Sequence, residues 1–324
     1  MIQLPRLRFA HLPTPIEPLP RLSAALGGPN LIIKRDDQTG LALGGNKTRK
    51  LEFLLAEAQA HGARTLITAG AAQSNHCRQT VAAARRYGLD CILVLSSDGP
   101  LQEVGMASGN LLLDVLLGAE LVWTTRDQRD ADLQAAFQAA WDAGRRPYLI
   151  PYGGSSPTGA AGYGMAMQEL LTQGINPDWI VFPSSSGGTQ AGLVVGARLF
   201  GYSGKILGIS IDELAPVLQA RVADLATRTA DLLGEPSTFA PGEILVNADY
   251  LGGGYGVLGE AEIEAVRLFA RHEGLLLDPV YTGRAAAGLI DLIRNGFFSR
   301  GDTLLFWHTG GAPALFAERY RSIV

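Results

Sequence analysis

The sequence predicts an α/β fold of two doubly wound lobes, on three observations. Short apolar runs alternate with helical stretches along most of the chain, the 324 residues exceed what one hydrophobic core serves, and forty glycines suit many tight turns. "RTLITAG" (64–70), "CILVL" (91–95), "ELVWT" (120–124) and "RPYLIP" (146–151) read as strands, each a short apolar run ending in turn residues. Helices are predicted between them over 74–87, 106–117 and 128–143. A second series follows: strand "DWIVFP" (178–183), helix 188–200, strand "KILGISI" (205–211), helices 213–232, 260–272 and 283–294, and strand "DTLLFWH" (302–308). Such alternation implies parallel strands joined by right-handed helical crossovers. The smaller lobe is expected over residues 51–160 and the larger over 1–50 together with 161–324, so both chain ends build one lobe. The chain shows neither low-complexity segments nor an internal repeat.

Composition narrows the function. Hydrophobic residues at 47% and charged residues at 18% describe an ordinary soluble globular protein. A net charge of -4, with no Lys/Arg run longer than two, offers no field for a phosphate backbone, so nucleic acid is not an expected partner. The proline-broken start "MIQLPRLRFAHLPTPIEPLP" does not read as a signal peptide, and no stretch approaches the ~18 apolar residues of a membrane span. Cys77 and Cys91 stand alone, which argues against a disulfide framework or a metal site and for a reducing cytoplasm.

Ligands of open α/β sheets sit beyond the carboxyl ends of the strands, where helix N-termini point N–H groups at anions. "WIVFPSSSGGTQAGLVVGARLF" has that form: a strand runs into Ser184 to Thr189 and directly on into a helix. The loop is either an anion cradle or a tight turn that Thr189 caps. "LITAGAAQSNHCRQTVAAARRYG" is a second such junction, with Gln73, Ser74, Asn75 and His76 in the first helical turn. Two helix N-termini suit a ligand with two anionic ends, such as a phosphate and a carboxylate. By contrast "GYGVLG" (254–259) matches a dinucleotide fingerprint literally but no strand enters it, and "GLALGGNKT" places Asn46 where a P-loop requires its lysine.

Only four residues are lysine against twenty-three arginines, and two of the four, Lys47 and Lys50, fall in "GGNKTRKLEF". Guanidinium stays protonated, whereas an amine can lose its proton and attack an aldehyde. Crowding by Arg49 and Lys50 is expected to favour the neutral form of Lys47, because like charges penalise protonation.

With "GGNKTRKLEF", "QSNHCRQT", "SSGGTQAG", "GYGVLGE", "LLLDPVYTG" and "LFWHTGGAPALF" in this order, the chain resembles the pyridoxal-phosphate enzymes of the D-cysteine desulfhydrase and aminocyclopropane-carboxylate deaminase family over nearly its whole length. The resemblance implies the tryptophan-synthase-β-like fold (fold type II) and a homodimer. It implies that Lys47 holds pyridoxal 5'-phosphate covalently and moves the α-proton, and that Lys50 helps neutralise the phosphate. Ser186, Gly187, Gly188 and Thr189 would form the phosphate loop, and Asn75 would bond the ring hydroxyl. Ser74 with Asn75 and His76 would receive the substrate carboxylate, Tyr255 and Tyr281 would face the substrate, and Thr309 would approach the ring. Thr282 stands where the ring-opening deaminases carry glutamate, so a hydroxyl rather than a carboxylate is expected beside the pyridine nitrogen. A weaker electron sink suits α,β-elimination: D-cysteine and water giving hydrogen sulfide, pyruvate and ammonia. L-Cysteate sulfo-lyase is the alternative, with Arg78 and Arg284 as conceivable sulfonate partners or as structural charges, and aminocyclopropane-carboxylate deaminase follows it.

Overall fold

The computed structural model describes residues 2–97 and 107–323. The first half of the chain runs β1 (Ile16–Pro18), α1 (Pro20–Leu26), β2 (Asn30–Arg35), α2 (Asn46–Ala60), β3 (Thr65–Ala71), α3 (Asn75–Arg86), β4 (Asp90–Ser96), α4 (Gly109–Leu116), β5 (Glu120–Thr124), α5 (Arg129–Asp142) and β6 (Pro147–Leu149). The second half continues with α6 (Pro157–Thr172), β7 (Trp179–Ser184), α7 (Gly188–Phe200), β8 (Lys205–Ser210), α8 (Ala215–Leu232), β9 (Leu245–Asn247), α9 (Glu260–Glu273), α10 (Thr282–Arg294) and β10 (Thr303–His308). Residue 106, the expected start of the helix predicted over 106–117, lies outside the described residues.

The strands form two sheets, in the orders β5-β4-β3-β6 and β1-β2-β10-β7-β8-β9. All pairs are parallel except β1 with β2. The last strand sits between β2 and β7, so both ends of the chain share one sheet. Helices α2 and α6 run across the expected lobe limits at 50/51 and 160/161.

Both sheets are covered on two faces, and strand periodicity sorts their side chains accordingly. In the larger sheet Leu31, Ile33, Leu304 and Phe306 pack toward α1, α9 and α10. Their neighbours Ile32, Leu305 and Trp307 pack with α6 and α7 on the other side. In the smaller sheet Leu66, Leu93 and Leu95 join α2 and α3, while Ile67 and Ile92 face α5. Burying each large side chain contributes about 1.5–3 kcal/mol, which is why near-continuous apolar strands are stable only with helices on both faces.

Several elements were not predicted, β1, α1, β2, α6 and β9 among them. Helix α6, "PTGAAGYGMAMQELLT", was not predicted, because Gly159, Gly162 and Gly164 lower helix propensity. Packing overrides it: a Cβ on Gly162 would lie 2.6 Å from the Arg49 carbonyl oxygen, and one on Gly159 only 2.1 Å from that of Gly154. The Ser156 side chain caps the helix by accepting from Gly159 N–H. Strand β2 was also missed, since Lys34 and Arg35 break its apolar run. Lys34 is nevertheless buried, its ammonium donating to Glu169 at 2.7 Å and to the Thr14 carbonyl at 2.8 Å. Among the described residues no helix is long and apolar enough to cross a membrane.

Candidate active site

One cleft opens at the carboxyl ends of β3, β6, β7 and β10, and its walls include Asn46, Lys47, Ser74, Asn75, His76, Tyr152, Ser184 to Gly187, Thr189, Tyr281 and Thr309. Lys47 sits in the first turn of α2, which begins at Asn46. The preceding turn requires glycine. Gly44 has φ +67°, and a Cβ there would lie 1.9 Å from the Asp37 carbonyl oxygen. Arg78 and Gln79 of α3 both donate to the Gly44 carbonyl, at 2.8 and 2.9 Å, and tie the turn to the neighbouring helix.

The Lys47 amine donates to Asn46 Oδ1 at 3.0 Å. Burial brings its pKa down to about 8, with Asp278 opposing the fall and Arg78 adding to it. The expected weakening of the proton's hold is present, but its cause is corrected. Arg49 turns away from the cleft, its guanidinium paired with Asp36 and Glu169. Lys50 does not line the cleft. Its buried ammonium lies behind the β7–α7 loop, donating to the Gly153 carbonyl at 3.1 Å. Burial and the charge of Lys47 hold it well below the ordinary lysine range, so an anion nearby would be needed to keep it charged.

At that loop the N-terminus of α7 has no side-chain cap, Gly187 having φ +86°. Ser186 and Ser155 hydroxyls meet at 2.8 Å, and Ser155 accepts from Gly188 N–H at 3.1 Å. A Cβ on Gly188 would lie 2.5 Å from Ser155 Oγ and 2.9 Å from Lys50 Nζ, so only glycine lets both reach the helix start. Thr189 accepts from Asn46 Nδ2 at 3.0 Å. Ser184 Oγ is buried with no partner. Free helix N–H groups, an orphaned hydroxyl and a nearby amine make an anion cradle.

The second N-terminus belongs to α3. Ser74 caps it, accepting from Cys77 N–H at 3.2 Å and keeping its own hydroxyl proton for the cleft. Asn75 Oδ1 accepts from Arg78 at 2.8 Å and from Asn110 at 3.0 Å, which leaves the Asn75 amide N–H₂ as its donor to the cleft. His76 lies beside them but differs in polarity. Its Nε2 meets Thr68 Oγ1 at 2.9 Å and its buried Nδ1 has no partner. The Thr68 hydroxyl proton goes to the Ile150 carbonyl at 2.8 Å, so Nε2 donates and Nδ1 presents a lone pair. A lone pair repels a carboxylate, so the side-chain donors on this wall are those of Ser74 and Asn75, and the donor that His76 offers a carboxylate is its main-chain N–H in the first turn of α3.

Tyr281 lines the cleft, and its hydroxyl meets that of Tyr255 at 2.7 Å. Tyr255 stands behind it, in the adjoining depression near Arg126. Thr282 is off the cleft wall. Its hydroxyl donates to Asp278 Oδ1 at 2.7 Å and accepts from Asp278 N–H at 2.8 Å, so its proton is already committed. The hydroxyl expected beside a pyridine nitrogen is therefore not presented in this arrangement. Thr309 does line the cleft, and its carbonyl accepts from Asn46 N–H at 2.9 Å.

Sequence reasoning missed Asn46, Tyr152 and Asp278 as site residues. Asp278 takes the N–H groups of Val280, Tyr281 and Thr282 and so caps α10, and its charge bears on Lys47. The signal was an aspartate four residues ahead of a threonine at a helix start. The two arginines considered as sulfonate partners are both occupied. Arg78 is wholly buried on Asn75, Asn110 and Gly44. Arg284 pairs with Glu262 at 2.8 Å and ties down the carbonyls of Ile211, Gly254 and Val257. "GYGVLG" is a loop between β9 and α9 shaped by that guanidinium, with no strand running into it.

The chain is similar to known proteins over nearly its whole length. Residues 7–310 match the pyridoxal-phosphate dependent enzyme family. The D-cysteine desulfhydrase of Salmonella paratyphi C is 44% identical over 322 residues, which are 98% of this chain and 97% of that protein. The crystal structure of an ACC deaminase homologue superposes with a TM-score of 0.89 at 37% identity, covering 99% of this chain and 97% of that one. Processed threonine deaminase isoform 2 of Solanum lycopersicum shares the fold at a TM-score of 0.64 and 17% identity, over 92% of this chain and 79% of its own.

Proposed function

This chain belongs to the family of pyridoxal-phosphate-dependent enzymes, and we propose that within it the protein is a carbon–sulfur lyase that converts D-cysteine and water to hydrogen sulfide, pyruvate and ammonia. The observation that carries this reading is the placing of Lys47, an amine of lowered pKa, between two helix N-termini in one cleft. The cofactor, when bound, supplies a ring that withdraws electrons from a carbanion at Cα.

The chain's own residues supply the rest. Lys47 Nζ would hold the cofactor covalently and carry the α-proton. The start of α7, with Ser184, Ser186, Gly187, Gly188 and Thr189, would receive the phosphate, and the Lys50 ammonium would balance its charge from behind. The Ser74 hydroxyl and the Asn75 amide, as donors at the start of α3, suit the substrate carboxylate and the cofactor's ring hydroxyl. Burial keeps the phenols of Tyr281 and Tyr255 protonated, so the pair can donate one hydrogen bond toward the substrate. With Arg78 and Arg284 engaged elsewhere, no arginine on the cleft wall favours sulfite over sulfide as leaving group. The same reading takes the enzyme as a homodimer in the cytoplasm, a compartment that two buried free cysteines suit, with 1–50 and 161–324 as the cofactor-carrying lobe and 51–160 as the smaller one.

The test is pyruvate release measured in parallel from D-cysteine, L-cysteine and L-cysteate, with 2-oxobutyrate scored from aminocyclopropane-carboxylate. D-Cysteine is expected to give the highest kcat/KM, and preference for any other of the four would refute the assignment. A second expectation concerns pH. Uptake of pyridoxal phosphate by the cofactor-free protein needs the neutral amine of Lys47, so its rate should climb about tenfold per pH unit and level off near 8. Rapid-mixing spectroscopy across that range measures it.

A further inference from the structure

His76 differs in polarity from Ser74 and Asn75, its neighbours on the cleft wall. Its side chain is only 4% exposed, and it lines the cleft with Lys47, Ser74 and Asn75. The bonding around Thr68 leaves a single tautomer. The Ile150 carbonyl can only accept, so the lone hydroxyl proton of Thr68 goes there at 2.8 Å, and Thr68 Oγ1 faces His76 Nε2 as an acceptor at 2.9 Å. Nε2 therefore carries the ring proton. Nδ1 is a bare lone pair, buried and without a partner among the described residues. Burial, with the charges of Lys47 and Lys50, keeps the ring neutral, so protonation does not supply Nδ1 with a hydrogen of its own.

Ser74 and Asn75 offer donors on that wall, and His76, which also lines it, has at its buried Nδ1 only a lone pair to offer. A cysteine is divided in the same way: its carboxylate only accepts, while its thiol has a hydrogen to give. A sulfonate carries no hydrogen at neutral pH and meets the lone pair with oxygen. We propose that His76, locked by Thr68 as the Nε2–H tautomer, is the residue that selects the β-substituent, accepting a hydrogen bond from a thiol S–H and turning away an anionic sulfonate. This rests on the lyase reading above. Thr68, which does not reach the cleft, is a positioning residue for the ring.

The test uses the holoenzyme and two variants, His76→Gln and Thr68→Val. Nitrogen-15 NMR of histidine-labelled holoenzyme, with the His76 signals assigned by their loss in His76→Gln, is expected to show Nε2 protonated and Nδ1 bare, and the Thr68→Val protein to show a mixture of tautomers. Selectivity is read as the inhibition constant of D-cysteate divided by KM for D-cysteine. That ratio should fall about tenfold in His76→Gln, mainly through a higher KM, and partway in Thr68→Val, with the visible band of the bound cofactor retained in both. A protonated Nδ1 in the wild type, or an unchanged ratio in His76→Gln, overturns the proposal. A wild-type holoenzyme that binds the cofactor yet makes no pyruvate from D-cysteine overturns the lyase reading instead, and the tautomer is still read directly by NMR.

Discussion

Replacing Lys47 with alanine is expected to lower pyruvate release from D-cysteine by about 10³–10⁴-fold and to abolish the visible band of bound cofactor. No other amine can take over. Lys50 Nζ faces the Gly153 carbonyl behind the phosphate loop. Lys34 is buried against Glu169, and Lys205 lies over the Trp179 ring at 4.5 Å. Lys47→Arg should be equally inactive, because a guanidinium keeps the positive charge yet stays protonated at any working pH. That pair of variants separates covalent chemistry from charge: retention of the band in the arginine variant would mean that Lys47 serves only as a counter-ion. Folding should be little affected, since the side chain makes one hydrogen bond, to Asn46. Borohydride reduction of the wild type followed by peptide mapping should place the label on residue 47.

The parts of this molecule legible in its sequence are those where local pattern and tertiary demand agree. Helix α7 spans Gly188–Phe200 as its glycine-led start announces, and α3 starts at Asn75 behind a serine cap. The strands of the smaller sheet are short, continuous apolar runs, readable because both faces are covered. Helix α6 was illegible because its glycines answer to the Arg49 and Gly154 carbonyls, which are neighbours in space alone. The site divides in the same manner. Ser74, Asn75 and the β7–α7 loop stood out because each sits at a strand-to-helix junction, and Lys47 because it is one of only four lysines and follows two glycines. The direction of the Arg49 guanidinium, the commitment of the Thr282 proton to Asp278 and the tautomer of His76 are each fixed by a partner that spacing does not reveal.

Asp36→Ala is expected to cost about 3–5 kcal/mol of stability, a fall of roughly 5 °C in the unfolding midpoint of a chain this long, followed by circular dichroism. Asp36 is wholly buried and accepts five hydrogen bonds. Oδ1 takes Thr14 at 2.9 Å and Arg49 Nη2 at 2.8 Å; Oδ2 takes Arg49 Nε at 2.8 Å, Tyr163 at 2.6 Å and Trp307 Nε1 at 2.8 Å. Removing the carboxylate leaves Arg49 to Glu169 and the Thr14 hydroxyl and strands two aromatic donors in the core, each a loss of about 1–3 kcal/mol before relaxation. The cluster also reaches the cleft. Arg49 lies two residues after Lys47 on α2, the Asp36 carbonyl accepts from Gly45 N–H at 2.9 Å, and Trp307 precedes Thr309, whose carbonyl holds Asn46. Cofactor affinity should therefore fall along with stability. The pH dependence gives the sharper check. Burial alone would raise the Asp36 pKa, but Arg49 and the other donors outweigh it and hold it below 3.8. A carboxyl whose folded pKa is depressed contributes its stability above its unfolded value and loses it as pH falls through the folded one. The gap in stability between wild type and Asp36→Ala should thus be full at neutral pH and narrow only below about 3.8. A gap that stayed constant into that acid range would show that the side chain fills space in the core without acting through its charge.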